Sequence, residues 1–152
     1  MVSKKLYYPA YPYPISDLLD RMSICQLKAI FIHEHKEQYE DEIKRIQMDI
    51  DHLIRKKGSK FTAEMLHASM IVAISNFCIW MNESKARKGG VEQDTLLKFT
   101  HSVNGIRNTA KNILSKELGD RMDLKIDCLA AEFLTEEFIK QHGNWNVWEK
   151  KK

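Results

Sequence analysis

The position of proline constrains the fold of this chain more than any other feature. Three prolines occur, and all of them precede Ile15 in the sequence: Pro9, Pro12 and Pro14. Proline interrupts an α-helix because it lacks the backbone N–H and clashes with the preceding turn. The proline-free remainder can therefore form long helices, whereas the N-terminal segment belongs to a different kind of structure.

Apolar residues recur at three- and four-residue steps in four long segments, and no alternating strand pattern competes with them. The predicted helices cover residues 16–57, 62–89, 94–119 and 121–142. Glycines, which readily adopt the left-handed conformation of a helix C-cap, follow or end these segments at Gly58, Gly89, Gly119 and Gly143. The sequence thus predicts an all-α fold, an antiparallel bundle of four long helices joined by short connections.

Local signals define the ends of the first two helices. Ser16 is a suitable N-cap, and Asp17 can pair with Arg21 one turn later. The run from Ser23 to Gln26 also fits a capping box, which leaves open whether the first helix breaks there. Thr62 is the expected N-cap of the second helix. From Met65 to Met81 that helix is apolar nearly all round, which predicts a central helix contacted on several sides.

The chain divides into an extended arm (1–15), a helical-bundle domain (16–143) and a basic, tryptophan-containing tail (144–152). Residues that precede proline are held out of the helical region, so the arm should be extended. Its tyrosines can contact a partner, the body of the same chain or a second copy. The interface candidates are Tyr7, Tyr8, Tyr11, Tyr13, Trp145 and Trp148.

Composition restricts the functional classes. The net charge is +3 from 24 basic and 21 acidic residues, mixed along the chain, which does not predict nucleic-acid binding. Three widely spaced cysteines without a C-x-x-C pair (Cys25, Cys78 and Cys128) favour a reducing compartment. The N-terminus lacks the apolar core of a signal peptide, and polar residues interrupt the most apolar window. We therefore expect a cytoplasmic protein without a membrane span.

A polar row along the second helix is the main candidate site. Asn76, Trp80, Glu83 and Arg87 recur at steps of four, three and four residues and so share a face. The third helix offers a matching polar row, in which Arg107 can form a bidentate pair with Glu83. Such residues form either a buried network that fixes the register of the helices or a cleft for a nucleotide, sugar or phosphate. The candidate ligand-binding residues are Asn76, Trp80, Glu83, Arg87, Asn104, Arg107 and Asn108.

These motifs, N-x3-W-x2-E-x3-R followed by N-x2-R-N, resemble an uncharacterised all-helical family of bacterial and phage proteins. The stretch DLLDRMSICQLK, from Asp17 to Lys28, is similar to the start of related proteins. The resemblance implies a helical fold and a shared polar patch, and it implies no reaction. Ser84 stands where that family tends to carry an acid, which argues against a metal site.

Other constellations are incomplete. His33 and Glu37 come within one residue of a zinc-protease motif but lack the further ligands. An all-helical pyrophosphohydrolase needs two facing carboxylate pairs, and the second spacing, Glu117 to Asp120, spans the expected helix end at Gly119. The sequence contains no glycine-rich phosphate loop and no recognisable catalytic set. It predicts no metal and no cofactor.

We therefore expect a non-enzymatic binding or assembly protein that self-associates as a homodimer or higher oligomer. The alternative is a small-molecule site between the second and third helices, for nucleotide- or sugar-nucleotide-related binding or hydrolysis. In that alternative Glu83 acts as acid or base, the arginines hold an anion and Trp80 stacks on a ring.

Overall fold

The computed structural model describes residues 13–88 and 93–120, and all regular structure within those residues is helical. Helix α1 spans Ile15–Phe31, and a 3₁₀ turn, His33–His35, leads into α2, Lys36–Lys57. Helix α3 spans Ala63–Lys88, and α4 spans Gln93–Leu118. The all-α class is confirmed. The predicted helix at residues 121–142 lies outside the described residues, as do residues 1–12, Gly89 and the tail.

The first predicted helix is two helices, and it does not break at Ser23. The Ser23 hydroxyl donates backwards to the carbonyl of Asp20 at 2.8 Å, a bond that keeps serine inside a helix. The helix ends at Ile32, whose backbone (φ −121°, ψ 88°) leaves the helical region. After the 3₁₀ turn, α2 folds back along α1, and Arg21 pairs with Glu42 at 2.6 Å.

The predicted N-cap at Ser16 is wrong, because tertiary contacts replace the local ones. Helix α1 begins at Ile15, and Ser16 is buried one position later with its hydroxyl 2.8 Å from that of Ser115. The predicted Asp17–Arg21 pair is also replaced. Asp17 pairs with Lys111 at 2.7 Å, since α4 brings that ammonium group to the side of α1 that faces the core.

A single carboxylate joins three helix ends. The Asp120 side chain accepts a hydrogen bond from the Ile15 N–H at 2.7 Å. It also forms an ion pair with Lys57 at the end of α2. Lys57 also donates to the Leu118 carbonyl at 3.1 Å, where the negative end of the α4 dipole favours a cation. We call this group of contacts the Asp120 clasp. The Asp120 side chain is only 3% exposed, and the Lys57 side chain is 31% exposed, so the clasp is a partly buried structural feature.

Helix caps follow the sequence closely elsewhere. Gly58 and Gly119 have positive φ angles of 64° and 59°, as expected for C-cap glycines. The Thr62 hydroxyl accepts a hydrogen bond from the Met65 N–H at 3.2 Å, which confirms the predicted N-cap of α3.

The core lies where α1 meets the other three helices. Asn82 donates to Thr100 at 2.7 Å, and Arg107 donates to Asn76 at 2.8 Å, so the C-terminal half of α3 faces the N-terminal half of α4. The same pairing brings Leu118 level with Met65 at the other end. The buried cluster comprises Ile15, Leu18, Cys25, Ile46, Ile50, Met65, Ala68, Val72, Ala110, Leu114 and Leu118.

Candidate functional site

The polar residues that the sequence predicts as one site separate into two groups. Arg107 bridges the amide oxygens of Asn76 and Asn104 at 2.8 and 2.5 Å. Glu83 does not pair with Arg107. It forms an i,i+4 pair with Arg87 at 3.7 Å, and the two side chains are 55% and 83% exposed. The reason is register, because Arg107 lies level with Asn76, and Glu83 lies seven residues, or about 10 Å, further along α3.

The remaining members of the predicted set lie beside these groups. Asn108 is half-buried on α4, next to Arg107 in the chain. The Trp80 ring stacks on Phe31 at 6.1 Å and 22°, so in this structure its partner is an aromatic ring of α1.

Helix α1 supplies partners that the sequence did not identify. The Asn76 amide group donates to Asp20 Oδ1 at 2.7 Å and to Ser23 Oγ at 2.6 Å. Lys111 donates to Asp20 Oδ2 and pairs with Asp17 Oδ1, both at 2.7 Å, and its side chain is only 5% exposed. We refer to this set as the inner polar network: Asp17, Asp20, Ser23, Asn76, Asn104, Arg107 and Lys111.

Burial and charge act in opposite directions on the ionisable groups of the network. Burial alone would raise the pKa of Asp20, but hydrogen bonds from Lys111 and Asn76, together with the charges of Lys111 and Arg107, lower that pKa. Burial likewise opposes the charge on Lys111, yet its bonds to Asp17 and Asp20 raise its pKa. Both shifts move away from neutrality, so neither group is suited to proton transfer at neutral pH.

The inner polar network is a set of matched charges in which Lys111 is buried and Asp17 and Asp20 are 27% and 13% exposed. Two carboxylates, Asp17 and Asp20, face two cations, Lys111 and Arg107, across three helices. One donor stands apart, because the buried Nε of Arg107 has no acceptor among the described residues. The arrangement fits a network that fixes the relative positions of α1, α3 and α4.

The opposite face of α3 is apolar and exposed. Five large side chains occur at steps of four, four, three and four residues, with exposures from 39% to 56%. They form the outer stripe: Leu66, Met70, Ile74, Phe77 and Met81. The sequence predicts contacts on several sides of this helix. Within the described residues, α3 contacts α1 and α4 mainly through its inner face, where Ala68 and Val72 are fully buried, and Phe77 of the outer stripe contacts Phe31 of α1.

Aromatic residues extend the outer stripe onto the end of α1. The Phe31 ring stacks on Phe77 at 6.4 Å and 23°, in addition to its contact with Trp80. Ile30 and Phe31 are themselves about half exposed. Exposed aromatic and aliphatic side chains in one continuous area are typical of interaction surfaces.

By length and composition, the Ala63–Arg87 part of α3 also meets the requirements of a membrane-spanning helix, with a mean hydropathy of 1.3. Core helices of soluble proteins meet the same requirements. The inner face of α3 is held by polar contacts, since Asn82 donates to the Leu96 carbonyl at 2.8 Å and Asn76 contacts α1.

Metal and thiol chemistry find little support in the part of the chain that the structure describes. Within residues 13–88 and 93–120, no group of three His, Cys, Asp or Glu side chains is placed to hold a metal ion. Asp120, considered above as a carboxylate ligand, belongs to the clasp. Burial raises the pKa of the Cys25 and Cys78 thiols, which disfavours the reactive thiolate.

Among the predicted interface residues, only Tyr13 falls within the described part of the chain, where it is exposed. Tyr7, Tyr8, Tyr11, Trp145 and Trp148 lie outside it. No protein-family model, curated protein or solved structure matches this chain. The resemblance carried by the short motifs stays a prediction.

Proposed function

We propose that this chain is a non-catalytic assembly protein that self-associates through the outer stripe of α3. The observation that carries the proposal is the continuous row of large apolar side chains on the face opposite the core. Single exposed apolar residues are ordinary, whereas a continuous apolar area marks an interaction site. We further propose that the helices form an antiparallel bundle with an extended N-terminal arm and that the protein is cytoplasmic.

A second copy suits this surface because the stripe can be complementary to itself. In a twofold-symmetric dimer the same patch on both copies forms the interface. The stripe spans 16 residues from Leu66 to Met81, or about 22 Å of helix, and its steps approach those of a helix-packing seam. In an antiparallel pair centred on Ile74, exposed Glu64 of one copy lies near exposed Lys85 of the other, so the charges at the two ends are complementary.

Cysteine cross-linking at the centre of the stripe tests the proposal. In the symmetric pair, residue 74 lies beside residue 74 of the second copy. We therefore expect Ile74→Cys in the full-length chain to give a disulfide-linked dimer on mild oxidation, identified by non-reducing electrophoresis and peptide mapping. Met48→Cys on α2, at a position of comparable exposure (52% against 47%), is the matched control and should give none above background.

Cross-linking, sedimentation and vesicle binding together distinguish a second copy from the other partners that could cover the stripe. A bond from position 74 to Cys128 of the same chain would show that the C-terminal segment covers the stripe, and it would overturn the proposal. Monomeric sedimentation of the wild type at all concentrations would do the same, as would co-flotation with lipid vesicles through these residues. If the proposal holds, Met70→Glu gives a monomer and the equally exposed Met48→Glu remains dimeric.

A second candidate function is anion binding beside Arg107, which the unpaired Nε of that buried guanidinium favours. The site would use Asn104 and Arg107, without Glu83. Thermal shift against sugar nucleotides tests it, since a ligand of this site must stabilise the wild type more than an Arg107→Ala variant.

A further inference from the structure

A groove between α1 and α2 begins where the described chain begins. A cavity of about 420 Å³ lies over Leu18 and Ile46, and its rim includes Asp17, Glu42 and Asp49. Tyr13, the residue through which the arm enters α1, lines the same cavity. A second cavity of about 480 Å³ shares Glu42 and continues over the surface of α2 past Asp41 to Gln38, and α2 residues line it. We call the two cavities together the α1–α2 groove.

The arm and the groove have opposite charges. Four carboxylates line the groove, Asp17, Asp41, Glu42 and Asp49, against the two arginines Arg21 and Arg45. Glu42 pairs with Arg21 inside the lining, and Asp17 and Asp41 pair with lysines outside it, Lys111 and Lys44. Residues 1–12 contain Lys4 and Lys5 and no carboxylate. The floor of the first cavity is apolar, because Leu18 and Ile46 are buried beneath it, which suits tyrosine and proline side chains.

The length of the arm also agrees with the length of the groove. An extended proline-rich segment advances about 3.1 Å per residue, so Lys5 lies about 25 Å from Tyr13 when the arm is straight. Along α2, Gln38 lies 11 residues before Asp49, or about 16 Å. The tyrosines of the arm therefore reach the length of the groove, and the two lysines reach its far end. A further shallow cavity there is lined by Glu34 and Glu37 together with Lys36 and two histidines.

We infer that the N-terminal arm, residues 1–12, binds in the α1–α2 groove of its own chain. The arm is then an intramolecular strap, and it does not hold a second copy. This inference is independent of self-association, because the outer stripe lies on α3 and the groove lies between α1 and α2.

Thiol protection in the full-length chain tests the inference. We expect the introduced thiol of Tyr11→Cys to be alkylated at least tenfold more slowly in the native chain than in urea. Asp41→Lys with Asp49→Lys should remove that protection by reversing the charge of the groove. Asp51→Lys, on the same helix but outside the groove lining, is the matched control and should leave the protection unchanged. Lys4→Glu with Lys5→Glu should remove the protection without altering any helix.

Measurements at several protein concentrations and in a monomeric variant distinguish an intramolecular strap from an arm that binds a second copy. An intramolecular strap protects position 11 equally at all protein concentrations and in the Met70→Glu variant. Protection that disappears on dilution would place the arm on a second copy, and no protection at all would show a free arm; either result overturns the inference. Neither result bears on the dimer, which the cross-link at position 74 tests separately.

Discussion

The two faces of α3 differ in a way that is unusual for a helix of a soluble protein, because buried amides lie on the core face and large apolar side chains lie exposed on the other. Its inner face buries the amides of Asn76 and Asn82 beside the apolar side chains of Met65, Ala68 and Val72, whereas its outer face exposes leucine, methionine, isoleucine and phenylalanine. The inner polar groups meet donors and acceptors on α1 and α4. Among the described residues, the outer side chains are largely exposed, although Phe77 stacks on Phe31 of α1. One face determines which helices lie together, and the other provides a surface for binding.

Removal of the buried cation should have the largest effect on the inner face. Lys111→Ala leaves Asp17 and Asp20 facing each other without their shared partner. We expect a loss of about 3–5 kcal/mol in the free energy of unfolding, measured by urea denaturation, because an unpaired buried charge is costly.

Lys44→Ala is the control for that measurement. Its side chain is 71% exposed and pairs with Asp41 at 3.2 Å, so the expected change is less than about 1 kcal/mol. Equal effects at positions 111 and 44 would contradict the view that the inner polar network holds the helices together.

Lowering the pH should weaken the inner polar network gradually. Because the pKa of Asp20 is lowered in the folded state, its contribution to stability is present above the ordinary carboxyl pKa near 3.8 and is lost as pH falls through the folded value. We expect the free energy of unfolding to fall below about pH 4, and the fall to be shallower in Asp20→Asn. Denaturation at a series of pH values checks this expectation, and identical profiles for the two proteins would contradict it.

The smallest effect is expected on the outer face. At concentrations where the chain is monomeric, Met70→Ala should change the free energy of unfolding by no more than about 0.5 kcal/mol, because the truncated side chain is exposed. Val72→Ala, two residues away but fully buried, should cost more. A loss above about 1 kcal/mol for Met70→Ala in the monomer would show that part of the same chain already covers the stripe.

The features that the sequence predicted are those set by local chemistry. The starts and ends of α3 and α4 agree within a residue, since Thr62 and Gly119 signal them directly. The row containing Asn76 and the row containing Arg107 also meet, because each follows from helical periodicity on a single helix.

The features that the sequence missed depend on contacts between distant residues. Lys111 lies in the polar row of α4, but no spacing links it to Asp20, 91 positions earlier. For the same reason the sequence predicts Ser16 as a helix cap, whereas in the structure the Ser16 hydroxyl contacts the hydroxyl of Ser115. The signal in the sequence is Lys111 itself, which lies on the polar row one turn from Arg107. If such a lysine is buried, its ammonium group requires carboxylates nearby. The apolar residues from Met65 to Met81 predict contacts on several sides of α3, whereas the described residues leave the outer stripe exposed.

The Asp120 clasp has a consequence for the order in which the chain can fold during synthesis. The first backbone N–H of α1 receives its acceptor from a residue 105 positions later, and Ser16 and Asp17 likewise wait for α4. A ribosome produces α1, α2 and α3 before any of these partners exists. The α1–α2 pair can form early from local contacts, but its N-terminal end is completed only after residue 120 has been made. Folding of the described residues is therefore completed only after α4 has been made, with the slow closure expected of contacts between distant parts of a chain.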